Sequence, residues 1–198
     1  TLMFEGHDTT STGLTFLLML LANHPEIQNK IYEEQLTIFD DSKRKATYDD
    51  LQNMEYLERC IKETLRLYPP VPIIGRTLDE DIVLKSNYVM PRGIMVNMML
   101  YDLHRNAKYW PDPHKFDPDR FLVDNCVNRH PFAYLPFSAG SRNCIGQRFA
   151  MLEMKSFTSK LIREFILEPV DTPDTIVMKA DIVLRTKNPI RVKFRRRL

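Results

Sequence analysis

Two adjacent prolines, Pro69 and Pro70, divide the chain into stretches with different hydrophobic rhythms. The residue before a proline avoids helical backbone angles, and proline has no N–H for a helical ladder, so a helix running into this pair ends there. Upstream, the spacing predicts helices. Leu2 to about Asn23 is long and apolar, and His24-Pro25 punctuates it. Glu26 to about Phe39 follows as an amphipathic helix with Ile27, Ile31 and Leu36 on one side. After the polar loop Asp40 to Lys45, Thr47 with Asp50 three residues on marks a helix start. Glu55 to Tyr68 then carries Leu57, Ile61, Leu65 and Tyr68 on one stripe.

Downstream of the prolines the rhythm shortens. Ile73 to Leu78, Ile82 to Leu84, Tyr88-Val89 and Ile94 to Asn97 are predicted strands, with Pro91-Arg92-Gly93 as a turn between the last two. Residues 105–136 hold five prolines and little periodicity, yet their aromatic density (Trp110, Phe116, Phe121, Tyr134 among others) argues for an ordered meander rather than disorder. Cys144 to about Glu164 is the last predicted helix. Ile166-Leu167, Thr175 to Met178, Ile182 to Leu184 and Arg191 to Phe194 are candidate strands, and the basic end Lys193 to Arg197 reads as a solvated tail. The expected fold class is mainly α with small β-sheets.

At 198 residues and 43% hydrophobic content the chain can bury the core of one globular unit, and it has no repeat or flexible linker. It opens on Thr1 with helix-like sequence already under way, so a coding sequence continuing upstream is expected. A net charge of +2 gives no argument for nucleic acid as a partner. Three cysteines without a Cys-x-x-Cys pair speak against a disulfide framework or a cysteine-built zinc site and fit a reducing compartment. The apolar run Gly13 to Ala22 is too short to span a bilayer; it reads as a buried helix.

Three stretches carry chemistry. Phe137 to Gly146 reads Phe-Ser-Ala-Gly-Ser-Arg-Asn-Cys-Ile-Gly, with Cys144 just ahead of a helix. A thiolate needs positive potential, which a helix N-terminus supplies; Gly140 and Gly146 let a flat group approach, Phe137 can shield the sulfur and Arg142 can pair with a carboxylate. Taken alone, Cys144 fits a buried structural cysteine on an ordinary strand-to-helix turn better than it fits a thiolate site. Glu5-Gly6-His7-Asp8-Thr9-Thr10 sets polar groups in an apolar helix: either a kink with a satisfied polar patch, or a groove in which Gly6 opens space and Asp8 and Thr9 relay protons. Glu63 and Arg66 share a helix face, and Arg120 can join them; in isolation such a pair is an ordinary surface contact.

In order, Glu-Gly-His-Asp-Thr-Thr, Glu63-Thr-Leu-Arg66, Phe116 to Phe121 and Phe137-x-x-Gly140-x-Arg142-x-Cys144-x-Gly146 resemble the C-terminal half of a cytochrome P450, a heme-thiolate monooxygenase. Phe4 to Thr10, Leu103-His104-Arg105 and Arg129 to Tyr134 are similar to family 4 of these enzymes, animal microsomal oxidases often acting on fatty acids and related lipids. The resemblance covers the whole chain. It implies that residues 1–198 are the C-terminal portion of a single catalytic domain of the cytochrome P450 fold, with the N-terminal half and membrane anchor absent.

The resemblance also implies roles. Cys144 matches the iron ligand and is thus the metal-binding residue; Phe137, Gly140 and Gly146 match the heme-packing loop; Arg142 and Arg76 match arginines that pair with heme propionates, although by position alone Arg76 is a surface strand residue. Gly6, Asp8 and Thr9 match the oxygen-binding groove, with Thr9 and Asp8 in proton delivery. Glu5 matches a glutamate that in some family 4 members esterifies a heme methyl, the alternative being a hydrogen-bonded carboxylate. Glu63, Arg66 and Arg120 match a structural triad. The implied activity is insertion of one oxygen atom of O2 into a hydrophobic substrate (fatty acid, terpenoid or xenobiotic). Electrons come from NADPH through NADPH-cytochrome P450 reductase, with cytochrome b5 as a further partner, at the cytoplasmic face of the endoplasmic reticulum membrane. Substrate contacts are expected from Met3 to Thr9, Val71 to Ile74 and Ile176 to Met178, and a redox partner near Arg148. A polypeptide of this length can instead be a noncatalytic truncated product that does not bind heme by itself.

Overall fold

Helix α1 (Leu2–Asn23) runs through the middle of the chain's core: Phe16, Leu17, Met19, Leu20, Leu21 and Ala22 are all buried. A helix apolar on nearly every side has to be covered on every side, and here α2 (Pro25–Phe39), α4 (Glu55–Leu67), α7 (Gln147–Glu164) and strand β5 (Phe165–Pro169) all pack on it. The structure, a computed structural model, describes residues 2–40, 42–179 and 181–197, with side chains from Gly6 onward. The fold is mainly α with small antiparallel sheets, as expected.

The helix ends follow from local chemistry. Asn23 Nδ2 and His24 Nδ1 donate to the carbonyls of Met19 and Leu20 (2.9 and 2.8 Å), closing the open end of α1. Pro25 occupies the first turn of α2, where its missing N–H costs nothing. Asp40 ends α2 in the left-handed region (φ 47°), its N–H bonded to Leu36 O. Thr47 and Asp50 form the expected capping box on α3 (Tyr48–Asn53). Leu36 departs from expectation: it is exposed, and the buried face of α2 runs through Ile27, Gln28, Ile31 and Gln35.

Past Pro70 the chain makes antiparallel pairs. Strand β1 (Ile73–Thr77) pairs with β4 (Met95–Met99), Ile73 opposite Met99, and β2 (Ile82–Val83) pairs with β3 (Val89–Met90), beyond which Gly93 (φ 85°) turns the chain into β4. The short helix α5 (Leu100–Leu103) follows β4, and the meander beyond it is ordered, with short helix α6 (Val123–Cys126) and single turns at Pro118–Phe121 and Pro131–Ala133. After α7, β5 pairs with β8 (Val192–Arg196), and β6 (Met178–Lys179) with β7 (Arg185–Thr186).

Three boundaries differ from the sequence reading. Helix α7 begins at Gln147, not Cys144, because the Cys144 N–H is taken by Phe137 O (2.9 Å) and the chain is still turning at Gly146. The stretch from Thr175 enters a turn closed by Thr172 and Thr175, and Ile182 to Leu184 is bent so that Leu184 N reaches Pro70 O (2.8 Å). The basic end is not a loose tail. Glu168 accepts from Arg195 (2.7 Å) and faces Lys193 (3.2 Å) across the β5–β8 pair, while Arg197 stacks on Tyr32.

The meander is tied to α4 by a buried cluster. Glu63 and Arg66 are both 0% exposed; Arg66 Nε and Nη2 bond the Glu63 carboxylate at 2.7 and 2.8 Å, and Arg120 Nε lies 3.3 Å from Glu63 Oε1. Arg66 also donates to the carbonyls of His104, Pro113 and Lys115, and Asp117 N–H donates to Glu63. Arg120 thus completes the cluster with Glu63 and Arg66. Burial raises the Glu63 carboxyl above its ordinary range, against the pull of Arg66.

His104 is the meander's second anchor. It is fully buried, and its Nε2 accepts from Leu135 N–H (2.9 Å), so the ring is neutral with its proton on Nδ1. Burial, with Arg66 and Arg105 alongside, lowers its pKa from 6.5 to about 4. The unfolded chain takes up this proton near 6.5 while the folded chain refuses it until about 4. Between those values the unfolded state binds more protons, so stability falls as pH falls, by roughly 3 kcal/mol in all. His104→Gln is expected to remove that part of the dependence. Urea midpoints that follow pH identically in the two proteins would exclude the assignment.

Candidate functional site

The loop between the meander and α7 is shaped by two residues with positive φ, Ser138 (61°) and Gly140 (82°). Gly140 adopts this angle without strain, and Asn143 N–H closes a turn onto its carbonyl (3.2 Å). Cys144 is then held by its own N–H to Phe137 O, with its side chain exposed. Its sulfur sits beside the N-cap of the next helix: a Cβ added to Gly146, which caps α7, would lie 3.9 Å from Sγ. A helix N-terminus favours negative charge.

Arg76 is brought to this loop by strand β1. Its Nη2 donates to Ser138 Oγ (2.8 Å) and Arg142 O (3.3 Å), so it is not an unattached strand residue. The Arg142 side chain is exposed at the same rim.

A cavity of about 240 Å³ joins the loop to α1. Gly6, Thr9, Phe137, Arg142, Cys144 and Gly146 all line it, so residues up to 140 positions apart in the sequence reading face one space. Leu65, Pro70, Val71, Ile74 and Leu100 make its apolar wall. Nothing lies within 4 Å of where a Cβ on Gly6 would be, which leaves the helix face open. Ile145 and Phe149 flank the loop with exposed apolar surface, Ile145 at 93%.

Other predicted residues lie elsewhere. Asp8 is turned away from the cavity: Arg185 Nη2 donates to both its carboxylate oxygens at 2.6 Å. Ile176 and Val177 line a separate cleft with Asp171 and Arg191, while Val71 and Ile74 do reach the cavity. Arg148 borders a second cleft in which Lys62 and Lys155 are already paired with Glu58 (2.7 and 2.5 Å). The Glu5 side chain lies outside the described residues. Among those described, no three His, Cys, Asp or Glu side chains gather as a metal site, and no helix is long and apolar enough to cross a membrane.

Sequence reasoning missed Arg185 and Ser138. Arg185 lies 177 positions from Asp8, and no local pattern marks it. Ser138 could have been suspected from its place beside a glycine-bearing loop, but its conformation is not written in its residue type.

One exposed cysteine at a helix N-terminus, a glycine-opened helix face opposite, an apolar wall and the exposed Arg142 at the rim border one space, whose chemistry suits a planar, negatively substituted cofactor. The open space at Gly6 and the left-handed Gly140 fit such a group. The family model for cytochrome P450 matches residues 1–194. Among curated proteins, cytochrome P450 4c3 of Drosophila melanogaster is 47% identical over 98% of this chain and 36% of its own length. Cytochrome P450 4g15 of the same organism is 46% identical over 100% of this chain and 34% of its own, and cytochrome P450 4V2 of Rattus norvegicus 43% over 100% and 37%. The chain belongs to the cytochrome P450 family, whose members are heme-dependent monooxygenases. It spans about a third of the length of the relatives it matches.

The Asp8–Arg185 pair fastens the β6–β7 hairpin to α1. Because Arg185 is 43% exposed, the pair is expected to be worth only about 1 kcal/mol. A double-mutant cycle with Asp8→Asn and Arg185→Gln, read by urea unfolding, checks this; strictly additive effects would mean the two do not interact in solution.

Proposed function

We propose that this chain is the heme-holding C-terminal portion of a monooxygenase that inserts one oxygen atom of O2 into a hydrophobic organic substrate. Bound heme supplies a redox-active iron that takes up electrons and binds O2. The observation that carries the reading is the shared cavity of Cys144, Gly6 and Thr9. In it Cys144 Sγ would ligate the iron, Arg142 and Arg76 would hold the propionates, Phe137 would keep water from the sulfur, and Gly140 and Gly146 would leave room for the ring.

Thr9 and Asp8 are assigned to proton delivery. Thr9 lines the cavity and hands protons into it from its hydroxyl; Asp8 is bonded to Arg185, so a proton reaching Thr9 through Asp8 requires that pair to open. The apolar wall from Pro70 to Ile74 suits a fatty acid, a terpenoid or another lipid-like xenobiotic. We assign the electron supply to NADPH through NADPH-cytochrome P450 reductase, with cytochrome b5 as an accessory donor, docking on the Arg148 side. An endoplasmic reticulum location, through an anchor outside this chain, fits those partners.

The exposed Ile145 and Phe149 favour a division of labour in which the longer protein, and not this polypeptide by itself, is the catalyst. Reduction and exposure to carbon monoxide should give the longer protein the red-shifted Soret band of a thiolate-ligated heme, and Cys144→Ala should abolish it. A band that persists in the variant refutes the ligand. A band from the longer protein but none from residues 1–198 assigns catalysis to the whole. For Glu5 we propose an ester to a heme methyl: acid extraction should then leave heme on the protein, and complete release would eliminate the bond.

A further inference from the structure

Helix α7 has a second charged cavity at its far end, roughly 27 Å from the cysteine loop along an 18-residue helix. Its volume is about 290 Å³, and α2, the loop after it, the end of α7 and the end of β8 enclose it. Among the described residues Lys43, Arg163, Arg196 and Arg197 line it, with Ser42 and one carboxylate, Glu164. Among the described residues none of the four cations comes within 4 Å of a carboxylate, whereas neighbouring Arg44 is paired with Asp50.

Two of these arginines are fixed in place before any ligand arrives. Arg163 stacks on Phe39 (3.9 Å to the ring centre) and donates to Arg44 O (3.0 Å). Arg197 stacks on Tyr32 (3.8 Å) and donates from Nε to Ile162 O (2.8 Å). Stacking holds a guanidinium plane and leaves its remaining donors free. Among the described residues Arg197 Nη2 is buried with no hydrogen-bond partner, an expensive state for a charged donor. The crowding has an electrostatic cost as well: burial first, then Arg44, works against the Arg163 cation, and burial, then Arg195, against Arg197.

We infer that this cavity is a binding site for a phosphate group. Four cations against one carboxylate call for a multiply charged anion, and a tetrahedral phosphate offers enough oxygens to be shared among two rigid guanidinium forks, Arg196, Lys43 and the Ser42 hydroxyl. The group is carried either by a small soluble phosphate or by a phosphomonoester lipid headgroup, since both present the same oxygens.

The test uses the full-length protein and two probes at constant ionic strength: inorganic phosphate followed by calorimetry, and phosphatidic acid vesicles followed by co-sedimentation against phosphatidylcholine vesicles. Lys43→Gln and Arg196→Gln serve as variants, because both side chains are exposed and neither side chain makes a hydrogen bond among the described residues. Saturable one-to-one phosphate binding, weakened about tenfold by each variant, supports the site with a soluble ligand. Binding to phosphatidic acid vesicles alone, weakened by the same variants, supports it with a headgroup. Binding of neither probe overturns the inference, as does binding that both variants leave unchanged.

Discussion

The Glu63–Arg66 pair is the interaction on which the rest of the structure leans. The meander after β4 has almost no ladder of its own, and its buried carbonyls need donors. Arg66 provides them to three separate points, His104, Pro113 and Lys115, from one rigid guanidinium held flat by Glu63. Taking both charges out of water is costly, so the pair stabilises little in net terms against an apolar replacement. Losing one partner is different. It strands the other charge in the core, at a cost of about 3–5 kcal/mol, and releases the meander from α4 at the same time.

The cysteine loop depends on that anchoring. His104, whose carbonyl Arg66 binds, accepts from Leu135 N–H two residues ahead of Phe137, and Tyr134 donates to Lys62 O on α4 (2.9 Å). From Phe137 the chain passes through two left-handed residues and returns its Cys144 N–H to the Phe137 carbonyl. Arg76 clamps the other side through Ser138. The position of one sulfur atom is therefore set by α4, β1 and the meander together, with no regular secondary structure of its own.

What could be read from the sequence was what is local. Apolar periodicity located α1, α2, α4 and most of α7; Thr47 and Asp50 announced their capping box; Pro69-Pro70 marked where the helical half ends. The family resemblance of the motifs implied one site for Gly6, Thr9 and Cys144, and all three line one cavity. The remainder was set by partners far along the chain. Cys144 misled as a helix start because its N–H belongs to Phe137, a bond that periodicity does not register. Asp8 looked poised toward the groove because Arg185, from a hairpin nearly the whole chain away, left no local mark. The basic end looked solvated because its counter-charge, Glu168, and its aromatic support, Tyr32, stand on β5 and α2.

The placement of β8 has a further consequence, for the order in which the chain can be completed. Within residues 1–198, α1 precedes β5 and β8, which cover part of it, by most of the sequence, and Arg197 N–H closes onto Glu164 O. During vectorial synthesis α1 stays partly uncovered until β8 has left the ribosome, so a chaperone or the membrane surface can engage it while the residues between them are made.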